Sequence, residues 1–466
     1  MRKKNCAALA VTVTVTTLAL ALPLTAHAKD AEEGGFRLQE LVGDPEGLTI
    51  GGSVRLRYEA LDNQFRPGLD EKDDAFLIRT LVRAEYDTGP VRLAAEVQDS
   101  RAYDTDAGSP VGTSEVNTVE LINAYVGFDI GGTAKKPAAT LDVGRFTMDL
   151  LNRRLVARNA FRNTINSFTG ARLKLAGPAG SSLTAFYTMP QVRLPADKED
   201  ILDNKAKWDR ESNDLVFWGG VLDMPLPKQG PLLNLAFFGL DEQDRPDLAT
   251  RDRKLYTANA RLFRKPAPGH FDYEFEAAYQ FGSISSGTAA NAARLDVAAW
   301  FAHAVIGYQW TGGWKPRISV AYDIVSGDKG AGSYNRFDTL FGARRWEFGP
   351  TSLYGALGRA NLNSPGVFVE AGPSQRTSLS AAYRVAWLDS ATDSFSSTGV
   401  KDGSGASGKF AGHQVEARVR HWLVPKFLQA ELGGAVLFNG RFLKDAPNAN
   451  GFGNTAYGYA QLEMTF

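Results

Sequence analysis

The chain predicts an all-β fold: a single antiparallel transmembrane β-barrel of 18 strands, with 16 as the alternative count. Three observations point there. Apolar and polar residues alternate with a period of two over runs that often reach the 9 to 11 residues a tilted membrane strand needs. Short and long connections alternate between those runs. The chain ends on an amphipathic strand, "YGYAQLEMTF", that closes on the aromatic Phe466. After residue 28, no apolar run approaches the ~20 residues of a membrane helix.

Residues 1–28 read as a secretory signal peptide: a basic "MRKK", the apolar "AALAVTVTVTTLALALPLTA", and a small-x-small cleavage site ending at Ala28. Cys6, the only cysteine, lies inside this segment, too early to be lipid-modified. The mature chain therefore has no disulfide and is held by backbone pairing and burial alone. Of 52 basic and 52 acidic residues, removal of Arg2, Lys3 and Lys4 leaves 49 against 52, a net of −3. That balance argues against a nucleic-acid partner. Residues 29–48 are read as a short periplasmic extension and 49–466 as the barrel.

"FDYEFEAAYQF" (271–281) gives the clearest strand. Phe271, Tyr273, Phe275, Ala277, Tyr279 and Phe281 share one face, and Asp272, Glu274, Glu276 and Gln280 share the other. "IGGSVRLRYEA" (50–60) repeats the pattern, and similar runs recur at 76–86, 91–98, 181–189, 231–240, 316–325, 376–388, 427–438 and 457–466. Long connections fall near 61–75, 100–118, 147–167, 190–212, 241–254, 283–295, 326–358, 390–409 and 439–455, separated by short turns such as "DTGP" and "LVPK". Nine long loops imply nine hairpins, with one strand near 359–371. Dropping a hairpin around 119–146 would give 16 strands. In a bacterial outer membrane the long loops are extracellular, the short turns periplasmic, and both termini periplasmic. A barrel of this width leaves an aqueous channel.

The third long loop contains "LNRRLVARNAFRNT" (151–164), with Arg153, Arg154, Arg158 and Arg162 in ten positions. Arg154, Arg158 and Arg162 would share one face if the loop were helical. The same loop carries Leu150, Leu151, Leu155, Val156 and Phe161, an apolar set suited to packing inside the barrel mouth. The loops 147–167 and 326–358 are therefore expected to fold toward the lumen. A lipid-facing arginine at mid-depth costs roughly 2–4 kcal/mol. Strand arginines such as Arg55, Arg57, Arg79 and Arg83 must then face the lumen, where most lumen charges would pair into cross-strand ladders. Only Asp149 is acidic within the third loop, so its arginines are expected to carry surplus positive charge able to hold carboxylates in bidentate geometry.

"LDVGRF" (141–146), "RRLVARNAFRNTINSFTGARL" (153–173), "YDIVSGD" (322–328), "FDTLFGARRWEFGPTSLYG" (337–355) and "SPG" (364–366) resemble the alginate-export family of outer-membrane proteins. The resemblance extends over nearly the whole mature chain. It implies a monomeric 18-stranded barrel whose arginine-rich constriction passes an anionic polysaccharide such as an alginate-like uronate polymer. The matching positions are Arg153, Arg154, Arg158 and Arg162, with Arg344 and Arg345 in the later block. Outer-membrane lipid, lipopolysaccharide, a saccharide permeant and periplasmic export components are the partners it implies. A general or sugar and organic-anion diffusion porin is the second reading. For "GARRWEFGP" the alternative to pore gating is a packing motif, with Trp346 and Phe348 on the wall and a local Arg344–Glu347 pair.

An enzyme is the competing class. A lipid-hydrolase barrel needs a nucleophilic serine beside a histidine; the mature chain has only His270, His303, His413 and His421, and no G-x-S-x-G element. Zinc-ligand spacing is absent, and no cofactor is expected. "DEKDD" (70–74) reads as a solvated charge run rather than a calcium site.

Overall fold

The structure, a computed structural model, describes residues 35–133, 136–227, 230–245, 248–330 and 332–466. The signal-peptide reading of residues 1–28 lies outside the described residues. The strands are β1 (Leu48–Asp62), β2 (Lys72–Asp87), β3 (Val91–Tyr103), β4 (Asn117–Thr133), β5 (Lys136–Phe146), β6 (Phe168–Ala176), β7 (Ser182–Pro190), β8 (Leu215–Pro225), β9 (Leu232–Glu242), β10 (Lys254–Arg264), β11 (Phe271–Ser285), β12 (Arg294–Gln309), β13 (Arg317–Val325), β14 (Leu362–Ser374), β15 (Thr377–Trp387), β16 (Phe410–Val424), β17 (Leu428–Asn439) and β18 (Thr455–Thr465). Each pairs antiparallel with its sequence neighbours, and β1 pairs with β18 from Ser53↔Thr465 to Asp62↔Ala456, which closes the sheet. Closure leaves no unpaired edge, the condition for a sheet to cross a bilayer.

The count is 18 because 119–146 does form a hairpin, β4 and β5, and the single strand expected near 359–371 is β14. Long loops and short turns occupy opposite rims. The sheet's first and last strands both end at the turn rim, where the Gln39 amide donates to the Leu48 carbonyl (2.6 Å) and its oxygen accepts from the Ile50 N–H (2.6 Å).

Burial is inverted relative to a soluble protein. Arg55, Arg57 and Arg384 are among the largest fully buried side chains, while Leu432 is 60% exposed and Val320 58%. On β11, Asp272, Glu276 and Gln280 are buried and Phe271, Phe275, Tyr279 and Phe281 are exposed, the two faces read from the alternation. The exposed face is the one that meets lipid. Aromatics gather toward both ends of it: the Phe271 and Tyr308 rings lie 4.9 Å apart near the turn rim, and those of Tyr256 and Phe281 5.5 Å apart near the loop rim, the arrangement of interfacial girdles.

Replacing outward-facing Leu432 with arginine is expected to destabilise the barrel by about 2–4 kcal/mol, read from urea unfolding in lipid vesicles. A cost near zero would place that face in water.

Candidate functional site

The site begins with a conflict in the wall. Arg55 on β1 and Arg79 on β2 stand directly opposite each other in register. Both are buried, at 2% and 3% exposure. Like charges so placed repel. The 147–167 loop resolves the conflict by bringing backbone oxygens to them. Arg55 donates to the carbonyls of Ala160 (3.0 Å), Phe161 (3.2 Å) and Arg162 (2.8 Å) and to Asn163 Oδ1 (3.1 Å). Arg79 donates to the carbonyls of Ala160 (2.7 Å) and Arg162 (3.1 Å) and lies 3.6 Å from Glu463. Beside them Arg57 donates to Gln461 Oε1 (2.6 Å), pairs with Glu59 (3.3 Å), and lies 4.2 Å above the Phe161 ring.

This is why the loop is not the helix that its arginine spacing suggested. Described throughout, 147–167 contains no helical segment. A helix would spend its carbonyls on its own N–H groups, and the wall arginines need the carbonyls of 160–162. Positive φ at Leu151 (55°), Arg153 (70°) and Asn159 (62°) breaks the run.

The other end of the loop reaches the opposite wall. Arg154, buried, donates to Glu274 and Glu276 of β11 and to Glu347, and Asn152 donates to Glu274 (2.7 Å) and Glu276 (3.0 Å). Arg158 grips Glu96 of β3 in bidentate fashion (3.0 and 2.5 Å). In a ring of 18 strands β2 and β11 face each other, so the loop crosses the lumen.

The 326–361 loop crosses it too, and the two join. Val156 and Phe341 form a parallel bridge: Ala157 N–H donates to the Phe341 carbonyl (3.1 Å) and Phe341 N–H to the Leu155 carbonyl (3.0 Å). Arg359 donates to the Ala343 carbonyl (2.7 Å) and pairs with Glu347. Arg345 donates to the Tyr459 hydroxyl (3.1 Å), lies 3.8 Å from Glu416, and sits over Phe161 (4.6 Å). The expected Arg344–Glu347 pair does not form. Glu347 is taken by Arg154 and Arg359, and Arg344 donates instead to the Ser397 hydroxyl. Phe348 is fully buried, as the packing reading of this motif expected.

The crossbar separates two vestibules. The one toward the loops encloses about 840 Å³ and is lined by Arg162, Arg193, Arg251, Arg253, Arg336, Arg344 and Arg359 against Glu242 and Asp338. Arg253 pairs with both acids (2.7 and 2.8 Å), and Arg336 pairs with Asp393 (2.7 Å). Among the described residues, Arg162, Arg193, Arg251 and Arg344 have no carboxylate within 4.0 Å. Arg162 and Arg193 converge on Asn166 Oδ1 (2.6 and 2.7 Å). Burial, with Arg193 and Arg344 nearby, holds the Arg162 guanidinium well below its usual range. Glu115, 3% exposed, is pushed by burial up to about 7. The vestibule toward the turns encloses about 740 Å³ and includes Arg153, Arg172, Lys174, Arg264 and Lys265. Arg83, half-exposed and bonded to Glu85, lies four residues nearer the turn rim than Arg79.

Of the arginines read from sequence, then, Arg162 and Arg344 open on the loop-side vestibule and Arg153 on the turn-side one. Arg55, Arg57, Arg79, Arg154, Arg158 and Arg345 fasten the crossbar. Sequence reasoning missed Arg193, Arg251 and Glu115. They lie in three different long loops; the fold sets Glu115 near Arg162 and Arg193, and Arg193 and Arg251 on one vestibule.

A family model described as alginate export matches residues 46–454. No curated protein matches the chain. Among solved structures the barrel is similar to Pseudomonas aeruginosa OccK8 (OprE), with TM-score 0.60 and 12% identity, covering 90% of this chain and 98% of that one. It is similar also to Acinetobacter baumannii OccAB1 (TM-score 0.55, 12% identity, 94% and 99% covered) and to P. aeruginosa OccK2 (OpdF) in complex with glucuronate (TM-score 0.56, 14% identity, 90% and 98% covered). At these identities the likeness is one of fold.

Arg55→Ala removes four hydrogen bonds from a buried cation, each worth about 1.5–3 kcal/mol. The 147–167 loop should then be cut by added protease far faster than in the parent while the barrel survives; equal protection would mean that other contacts hold it. A pH effect follows from Glu115. Its carboxyl is raised, so it is neutral at pH 5 and ionised at pH 8, cancelling one positive charge beside Arg162 as pH rises. Anion selectivity should fall between pH 6 and 8 in reversal-potential measurements, and Glu115→Gln should flatten that fall.

Proposed function

The chain belongs to the alginate-export family and forms an outer-membrane β-barrel of the porin type, and on that premise we propose that it conducts carboxylate-bearing saccharides, uronate sugars and their oligomers. Both family and fold are those of transport barrels rather than of enzymes. One observation carries the choice of permeant: the loop-side vestibule holds four arginines without a carboxylate partner, two of them converging on one acceptor. A guanidinium fork matches a carboxylate in two parallel hydrogen bonds, and the arginines that fasten the crossbar do not compete for it.

The vestibule wall also supports a sugar body. Thr339, Thr250, Gln191 and Ser397 offer hydroxyl and amide groups, and the Tyr334 ring lies beneath the Arg251 guanidinium (4.7 Å). Glucuronate in the OccK2 complex is a small acid of this chemistry in a barrel of the same fold. The loop-side cavity of about 840 Å³ has room for short acids, which keeps the reading as a sugar-acid and organic-anion porin alongside that of a polysaccharide exporter. In either case the long loops face outward, both termini face the periplasm, the barrel acts as a monomer in lipid and lipopolysaccharide, and periplasmic components would deliver or receive the permeant.

The purified protein in planar bilayers should be anion-selective, and uronate oligomers should block its current. Replacing Arg162 and Arg344 together by glutamine should raise the half-blocking uronate concentration at least tenfold, equivalent to about 1.4 kcal/mol. A weakly selective current indifferent to uronates would leave a general diffusion porin.

A further inference from the structure

Between the two vestibules, one sector of the lumen wall, on β6 to β9, is apolar. Adjacent strands β6, β7, β8 and β9 each send one phenylalanine inward, Phe168, Phe186, Phe217 and Phe238, all buried. The rings gather round Phe217, whose centroid lies 6.2 Å from Phe168, 5.1 Å from Phe186 and 5.8 Å from Phe238. Along β9 the inward side chains run from Glu242 in the loop-side vestibule through Leu240, Phe238 and Ala236 to Asn234 in the turn-side one. The wall of an aqueous barrel is normally polar, so this belt departs from the rest of the lumen.

Into the belt the 326–361 loop inserts Phe341. Its ring lies 4.9 Å from Phe217 and 5.3 Å from Phe168, edge-on to the latter. The same residue makes both backbone hydrogen bonds of the crossbar bridge, so ring and backbone are seated together. Beside it Asp338 is held by Arg253 (2.8 Å), and its N–H donates to Gln280 (3.0 Å). Among the described residues, none lines both vestibules.

We propose that Phe341 is the gate of this channel, its ring closing an apolar belt that water and anions do not cross until the 338–343 segment withdraws. Apolar constrictions gate by dewetting: an ion entering one would lose its hydration with nothing to replace it. The arginines then select what waits in the vestibule, and Phe341 sets what passes. This inference rests on the reading that the lumen conducts.

The test is single-channel conductance in planar bilayers of the parent protein and of Phe341→Ala, Phe341→Leu and Phe217→Ala, each first shown to be folded by its heat-modifiable electrophoretic mobility. A several-fold rise in conductance or open time in Phe341→Ala and Phe217→Ala, with Phe341→Leu close to the parent, supports the gate. Should Phe341→Ala not fold, Phe217→Ala, which alters the wall and leaves the bridge, decides. Equal conductance in all folded forms overturns the gate and leaves the channel standing. No current from any form overturns the channel, and the gate with it.

Discussion

The structure depends on how two buried arginines that face each other across β1 and β2 are satisfied. Arg55 and Arg79 cannot neutralise one another, and Glu463, 3.6 Å from Arg79, supplies one counter-charge for the pair. Carbonyl oxygens supply the rest. They are dipoles without net charge, so three of them in a row from residues 160–162 can approach two cations. Backbone that gives its carbonyls to side chains cannot be helical there. It must also be brought into the lumen, because the arginines point inward. The position and irregular course of the loop both follow from this capture.

Once the loop is fixed at one wall, the acids of the opposite wall determine the rest. Glu274 and Glu276 stand on β11 with Arg261 as a cross-strand partner, and the addition of Arg154 joins wall and loop in one network. Burying charges is costly unless they are paired and hydrogen-bonded. Here each fastened arginine has several partners, and the cost is spread over two loops and the barrel wall. Arginine suits this better than lysine, since its five donors can face several acceptors at once.

Much of the fold was legible because alternation and loop length are local. The two faces of 271–281 read directly as lipid and lumen, and nine long loops gave 18 strands. Leu150, Leu155 and Val156, the apolar set of the third long loop, are buried. What could not be read was partnership. Within 147–167 only Asp149 is acidic, so the stripe looked uniformly in surplus. Glu96, 62 residues upstream of Arg158, and Glu274, 120 residues downstream of Arg154, take those charges in the folded chain. The Phe belt was hidden for a related reason: Phe168, Phe186, Phe217 and Phe238 lie on the inward phase of their strands, where an aromatic reads as one more wall residue until Phe341 is seen to meet it.

Selectivity in such a lumen is a remainder rather than a total. The many arginines that hold the crossbar are taken up by carbonyls and carboxylates, and in the proposed reading the field in the loop-side vestibule comes from Arg162, Arg193, Arg251 and Arg344, which line it. A remainder is sensitive to single charges. Glu115, raised to about 7 by its burial, subtracts one unit from the same cluster on ionising, whereas Glu242 and Asp338, already matched by Arg253, are largely cancelled. Wall-bound and vestibule-lining arginines therefore share one sequence stripe. Arg154 and Arg158 are bound to the walls, and Arg162 looks into the vestibule while its own carbonyl holds Arg55 and Arg79. The residue whose side chain lines the vestibule is also part of the anchor that positions it.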